Sequence, residues 1–236
     1  MVRYLWATAS HKGRLRENNE DTVFPESGGE STGPAVLIVA DGMGGHVAGE
    51  VASRLAVNTA ASTDKDPVER VEAGNRAIRE QVAREPSLEG MGTTMTLVSL
   101  EENGTARFAH VGDSRAYLLR SGKLRRLTED HTVAAEYVAQ GEISAEDALD
   151  HPQRHMLTRT LGLTSDIEVD EKSVDLHAGD RLLLCSDGLT EMVPDDHIAT
   201  VIGSGTPEEA VWELIETANE EGGVDNITVI VVEVVE

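Results

Sequence analysis

Residues 34–46 read PAVLIVADGMGGH, and this stretch decides the fold. Residues 36–40 are consecutively apolar, too short a run for a helix of its own and suited to a buried strand. The run stops at Asp41, and Gly42, Gly44 and Gly45 follow at once. A carboxylate at the end of a buried strand is costly unless a cation, a strong donor or an opposite charge meets it. The glycines let the backbone turn sharply and come close to whatever Asp41 holds. Taken alone, Asp41 is equally well read as a helix cap in a tight strand-to-helix turn.

The pattern recurs, and that changes the reading. Residues 108–112 lead into Asp113, residues 182–185 lead through Ser186 into Asp187, and Asp225 with Asn226 stands just before the apolar run 227–232. Near the N-terminus, Glu20 and Asp21 close a polar segment. Strand-end carboxylates with no matching lysines are what a hard cation needs, because magnesium and manganese prefer oxygen ligands and retained waters.

Bulk properties narrow the class. A chain of 236 residues buries a sizeable core without disulfides or structural metals. Cys185 is the only cysteine and lies in an apolar run, so it reads as a small core hydrophobe and fits a reducing cytoplasm. No apolar run approaches the roughly twenty residues of a membrane span, and the N-terminus lacks the apolar core of a signal peptide. A formal charge of −23 argues against nucleic acid, whose phosphates need clustered lysine and arginine. Cations in the proposed site would offset part of that charge.

The remaining elements follow from periodicity and caps. Tyr4, Trp6 and Thr8 alternate with Leu5 and Ala7 as an edge strand, and the glycine- and serine-rich residues 26–34 read as an exposed loop. Val51, Leu55 and neighbouring alanines make a helical stripe to about Ala61. Asp66, Pro67 and Glu69 open a second helix whose Val68, Val71, Ile78 and Val82 share a face. Residues 94–100, 106–111, 116–120 and 123–127 are short strands whose tight connections demand antiparallel hairpins, with Asp113 in a hairpin-like turn. Residues 128–162 are polar and irregular, with a helix over 133–140 and another capped by Ser144. They hold His131, His151 and His155, which lack the regular spacing of a zinc site. Alternation over 167–176, a buried strand over 181–185, a helix capped by Thr206 and a strand over 227–235 complete the chain. Helices come after blocks of strands rather than between every strand, which excludes strict βα alternation. Two antiparallel sheets packed face to face and covered by helices suit the pattern, as one α+β domain over residues 1–236.

Seven segments together resemble the metal-dependent serine/threonine protein phosphatases of the protein phosphatase 2C type, in their compact bacterial form. They are GRLRENNED (13–21), VADGMGGH (39–46), GTT (92–94), VGDSRAY (111–117), DHPQRHMLTRTLG (150–162), CSDGLTE (185–191) and GGVDNITVIVV (222–232). The resemblance implies a four-layer αββα sandwich and hydrolysis of phosphoserine and phosphothreonine on proteins. It implies two Mn2+ or Mg2+ ions sharing Asp41, with Asp187 and Asp225 on one and the Gly42 carbonyl on the other. Glu20 and Asp21 would act on these metals directly or through water, and Asp113 with Asp187 matches a third, weaker ion. A hydroxide bridging the pair would attack phosphorus without a phosphoenzyme, and Arg16 would hold the phosphoryl oxygens with its guanidinium fork. Residues 128–162 correspond to a mobile flap beside the active site. Phosphorylated proteins, a cognate Ser/Thr kinase and its targets are the implied partners, with a monomeric, cytoplasmic enzyme reversing kinase signalling.

One position departs from part of the family. Some members carry a histidine, thought to protonate the leaving alkoxide, where this chain has Met43, and methionine cannot donate a proton. A metal-coordinated water or His46 would then serve as the acid. Two other readings use the same carboxylates: a metal-dependent hydrolase of phosphodiesters or small phosphate esters, and a catalytically silent binding module.

Overall fold

The computed structural model describes residues 2–44 and 48–236. Strands β1 (Arg3–His11), β2 (Thr22–Phe24), β3 (Gly29–Ser31), β4 (Ala35–Ala40) and β5 (Gly42–Met43) come first. Helices α1 (Ala48–Ser62) and α2 (Pro67–Arg84) follow, then β6 (Gly92–Thr93), β7 (Met95–Leu100), β8 (Thr105–Val111), β9 (Arg115–Arg120) and β10 (Lys123–Arg126). After α3 (Val133–Gln140) and α4 (Ala145–Leu149) come β11 (Asp170–Asp175) and β12 (Arg181–Cys185). Helices α5 (Asp187–Thr190), α6 (Asp195–Ile202) and α7 (Pro207–Glu220) precede the last strand, β13 (Ile227–Val235).

The strands form two antiparallel sheets, in the orders β10-β9-β12-β13-β1-β3 and β11-β8-β7-β4-β2, beside a small β5-β6 ribbon. Alternate residues of one strand serve different layers. Leu37 and Val39 of β4 meet Ile230, Val232 and Val234 of β13 between the sheets. Ile38 and Ala40 point the other way, onto Ala52, Ala56 and Val57 of α1 and Ile78 of α2. On the far side, Val229 and Val231 of β13 pack against Ile198 of α6 and Val211 and Leu214 of α7. Strands apolar on both faces are therefore sandwiched between a sheet and a helix layer, which is why their sequences do not alternate. The expected four-layer αββα sandwich is the observed architecture.

Local signals read from sequence hold closely. Asp66 accepts from the Glu69 N–H at the start of α2, and Ser144 and Thr206 form capping boxes on α4 and α7. Three expectations need correction. Strand β1 is not an edge, because it pairs with β13 along its length and with β3 at Tyr4, Leu5 and Trp6. Residues 26–34 are not purely loop, since β3 lies within them and supplies that second partner. The turn at Asp113 is not a hairpin, because β8 and β9 belong to different sheets and the chain crosses between them there. Helices α5 and α6 carried no periodic signal long enough to be read in advance.

Candidate metal centre

Each predicted carboxylate reaches the same end of the sandwich by its own local device. Asp41 stands one residue beyond β4, where its N–H donates to the Thr94 hydroxyl at 2.9 Å. Its carbonyl accepts from the Thr94 N–H at 2.9 Å and from the Thr93 hydroxyl at 2.8 Å. The Thr94 hydroxyl also shares a 2.8 Å bond with Ser114, so one side chain ties the Asp41 and Asp113 segments together. Asp113 follows Gly112, whose φ of +108° and close approach to Thr94 leave no room for a Cβ. His131 braces that turn from the other side. Its N–H donates to the Gly112 carbonyl at 2.8 Å, and its Nδ1 accepts from the Gly112 N–H at 3.1 Å.

Asp187 opens α5, and Gly188 explains how it comes near Asp225. A Cβ on Gly188 would stand 2.0 Å from the Asn226 carbonyl oxygen, so any side chain there would push the two segments apart. Asp21 is held by the Ser186 hydroxyl, which donates to Oδ2 at 2.7 Å while accepting from the Thr228 N–H at 3.0 Å. Asn226 fastens the N-terminal loop: its Oδ1 accepts from the Glu20 N–H, and its Nδ2 donates to the carbonyls of Lys12 and Asn18. Glu20 and Gly42 converge on Gly49 of α1, where a Cβ would lie 2.5 Å from Glu20 Oε2 and 2.8 Å from the Gly42 carbonyl oxygen.

The electrostatics report the crowding. Burial and then the charges of Asp21, Asp187, Asp113 and Asp225 raise the Asp41 carboxyl far above its ordinary range. Burial pushes Asp21 up to about 7 against its hydrogen bond from Ser186, with Asp187 and Asp225 adding to the rise. Burial and Asp187 raise Asp113, and burial and Asp225 raise Asp187. Oδ1 of Asp21 and Oδ1 of Asp187 are buried with no hydrogen-bond donor from the protein. Unpartnered carboxylate oxygens inside a cluster of like charges fit divalent cations, which supply both the missing partner and the missing charge.

Arg16 lies at the rim, half exposed, with Nη2 2.5 Å from Asp225 Oδ2. It is thus a partner of a predicted ligand in this structure, and Asp41 and Glu20 also lie within electrostatic reach of it. Two residues outside the sequence-based set join the cluster. His155, Asp187 and Glu191 place one ligand atom each within 4.8 Å of one another, and His155 Nδ1 is 2.5 Å from Glu191 Oε1. Burial and Asp187 push Glu191 up to about 7. Ser186, Thr93, Ser114 and Asn226 are the other residues a sequence reading passes over, since a hydroxyl or amide beside an aspartate carries no signal until its partner is known. His46, named as one source of the leaving-group proton, lies outside the described residues.

Known proteins share both the sequence and the fold. The protein phosphatase 2C family model matches residues 10–216. The serine/threonine protein phosphatase PstP of Mycobacterium tuberculosis is 42% identical over 245 residues, covering 100% of this chain and 46% of that protein. The chain thus spans about half the length of that relative. The serine/threonine phosphatase Stp of Listeria monocytogenes is 41% identical, with 94% of this chain and 92% of that protein covered. The crystal structure of the PstP catalytic domain in complex with two manganese ions superposes with a TM-score of 0.88 at 39% identity, covering 100% of each chain. A sandwich that gathers its carboxylates at one end, matched in sequence and in shape over nearly its whole length, places this chain in the protein phosphatase 2C family.

Proposed function

We propose that residues 1–236 form one catalytic domain that hydrolyses phosphoserine and phosphothreonine on proteins with Mn2+ or Mg2+. The observation that carries this reading is the pair of buried, donorless oxygens on Asp21 and Asp187 within a ring of aspartates. Asp41 would be shared by two cations, with Asp187 and Asp225 on one and the Gly42 carbonyl on the other. Glu20 and Asp21 would act on them directly or through water, and Asp113 with Asp187 would hold a third, weaker ion. When bound, the cations supply Lewis acidity, drawing charge from the phosphoryl oxygens and acidifying a coordinated water.

The chain's own residues do the rest. Thr94 and Thr93 hold the Asp41 backbone, and Ser186 orients Asp21, so the ligands are preorganised before substrate arrives. Arg16 offers two N–H donors to phosphoryl oxygens, a match of fork to anion that lysine cannot make. Cys185 is buried in the core with its thiol pushed up to about 12, chiefly by burial, and so cannot act as a nucleophile. That supports direct hydrolysis rather than a covalent intermediate. We read the enzyme as a cytoplasmic monomer opposing a cognate Ser/Thr kinase; among the described residues no helix is long and apolar enough to cross a membrane.

Side-by-side assays on phosphothreonine, phosphoserine and phosphotyrosine peptides test the reading. Turnover of the first two is expected to need manganese and to vanish in chelator. Turnover that survives chelation, or a preference for simple phosphate esters over every peptide, would refute it.

Two variants separate residue roles within the site. Arg16→Ala is expected to raise KM for phosphopeptides about tenfold or more, the scale of a lost charged hydrogen bond. Manganese affinity, read by calorimetric titration, should stay equal or tighten, because Asp225 loses a competing cation. A large fall in metal affinity would make Arg16 a structural partner of the carboxylates instead. Asp113→Ala should cost about a hundredfold on phosphopeptides, the scale of general acid catalysis, and much less on nitrophenyl phosphate, whose leaving group needs little protonation. Met43 cannot supply that proton, and on this reading Asp113 and Asp187 would hold its source, with His46 as the alternative. Equal losses on both substrates would remove Asp113 from the proton's path.

A further inference from the structure

Beside the carboxylates lies a cavity of about 820 Å³, walled on one side by Asp113 and Asp187 and on the other by α3 and α4. Anything that fills it stands next to the reacting phosphate, because two of the proposed ligands are part of its wall. The helices present small and aliphatic side chains to it, among them Ala135 and Val138 of α3 and Ala148 and Leu149 of α4. Leu149 is 70% exposed, a large apolar side chain left uncovered among the described residues.

Three of the four arginines in the wall are already paired. Arg115 and Arg126 both pair with Asp130, and Arg159 pairs with Asp170. Arg154 alone of the lining arginines makes no ion pair among the described residues, and it faces Glu191. In a wall that also carries seven carboxylates, the cavity therefore offers no cluster of unpaired arginines for a second phosphate, and the aliphatic side chains of α3 and α4 supply its apolar contact.

The apolar surface continues past the metal ligands. Met192 lines the cavity, and its Sδ lies 3.7 Å from where a Cβ on Gly222 would be. Beyond it, Val224 precedes Asp225 and is exposed, as is Leu15 at 70%, whose N–H donates to the Gly223 carbonyl. Exposed Leu15 and Val224 thus adjoin Arg16 and Asp225 in sequence, and Met192 stands between Gly222 and the cavity.

We propose that this cavity receives a bulky aliphatic or aromatic side chain of the protein substrate, close in sequence to the phosphorylated residue. The inference rests on the phosphoserine/phosphothreonine reading and adds what the substrate must carry. In an extended segment, side chains two positions apart share a face and lie about 7 Å from one another. A phosphorylated residue aimed at the carboxylates therefore directs its second neighbour, on the flap side, at the cavity mouth. The first neighbours point away.

The test compares three phosphothreonine peptides that differ at the second neighbours: leucine at both, alanine at both, or phosphoserine at one and alanine at the other. Nitrophenyl phosphate, which has no flanking residues, is assayed beside them. The leucine peptide is expected to show kcat/KM about tenfold or more above the alanine peptide, the usual worth of a filled apolar pocket. The doubly phosphorylated peptide should gain nothing. Ala148→Trp and Ala135→Phe fill the cavity from different helices, and either is expected to erase the leucine preference while nitrophenyl phosphate is turned over as before. Equal turnover of the leucine and alanine peptides by the unaltered enzyme, a gain from the second phosphate, or a leucine preference that survives both fillings would each overturn the proposal. Absence of turnover on every ester, nitrophenyl phosphate included, would instead fail the phosphatase reading itself and this inference with it.

Discussion

Asp41→Asn is expected to reduce manganese-dependent turnover to background while leaving the fold intact. Asp41 is the carboxylate on which four other aspartates act: after burial, Asp21, Asp187, Asp113 and Asp225 all raise its pKa. A group so placed is the natural shared ligand of two cations, and asparagine offers a neutral oxygen of weaker attraction in its place. Losing it removes the charge that holds both ions together, so the loss should exceed that of any rim substitution. The same change should stabilise the chelated protein, because it deletes one of several buried like charges. Thermal melting in chelator should therefore move up while the gain on adding manganese shrinks. A variant that keeps a tenth of the parent turnover at saturating manganese would show that the shared-ligand assignment is wrong.

The second large effect is a reversal of the pH dependence of stability by metal. Asp21, Asp41, Asp113 and Asp187 all hold their protons to higher pH in the folded chain than an exposed carboxylate does, chiefly through burial. The unfolded chain therefore gives up these protons first, so in chelator stability falls as pH rises from about 4 through the folded values. For Asp21 the fall extends to about 7. Buried His110, pushed down to about 4 by burial and by His131, works in the opposite sense. So does His131, lowered chiefly by its burial. Both imidazole contributions are complete once pH passes about 6.5, the value of a free histidine. Between about pH 6.5 and 8, then, the chelated protein should lose stability through its raised carboxylates. Saturating manganese binds the ionised carboxylates and should hold the protein level or rising across that range. At a hundredfold excess over the dissociation constant, binding adds about 2.7 kcal/mol. For a chain of this size that is a rise in Tm of about 5–10 °C. Calorimetric melts at both pH values, with and without manganese, would expose an error: identical slopes in the two conditions would mean that the aspartates do not hold the ions.

How much of this was legible before the structure depends on the range of the forces involved. The run at 36–40, the glycines after Asp41, and the caps at Asp66, Ser144 and Thr206 involve residues within a few positions of one another. Such interactions operate in nearly any context that lets the segment form. The spacing of apolar runs also identified strands that needed cover on both faces, as β4 and β13 have. Motifs around Asp41, Asp113, Asp187 and Asp225 marked the site because aspartate at the end of a buried strand is intrinsically expensive. What sequence could not express is which sheet a strand joins. The step from Gly112 to Ser114 looks like a hairpin until β8 and β9 are assigned to opposite sheets, which places Asp113 at the seam. Strand β1 looks like an edge until β3 pairs with it. Arg16 meets Asp225 and Ser186 meets Asp21 across more than a hundred and sixty residues, and α3 and α4 enclose a cavity against α5 and its flanks. Those partners are chosen by how the two sheets pack, because a side chain's charge and shape state what it requires but not which distant segment will supply it. The amino-acid order alone therefore determined the elements and the chemistry they carry. Tertiary packing decided which of those chemistries share a site, since only burial brings like charges close enough to need an ion.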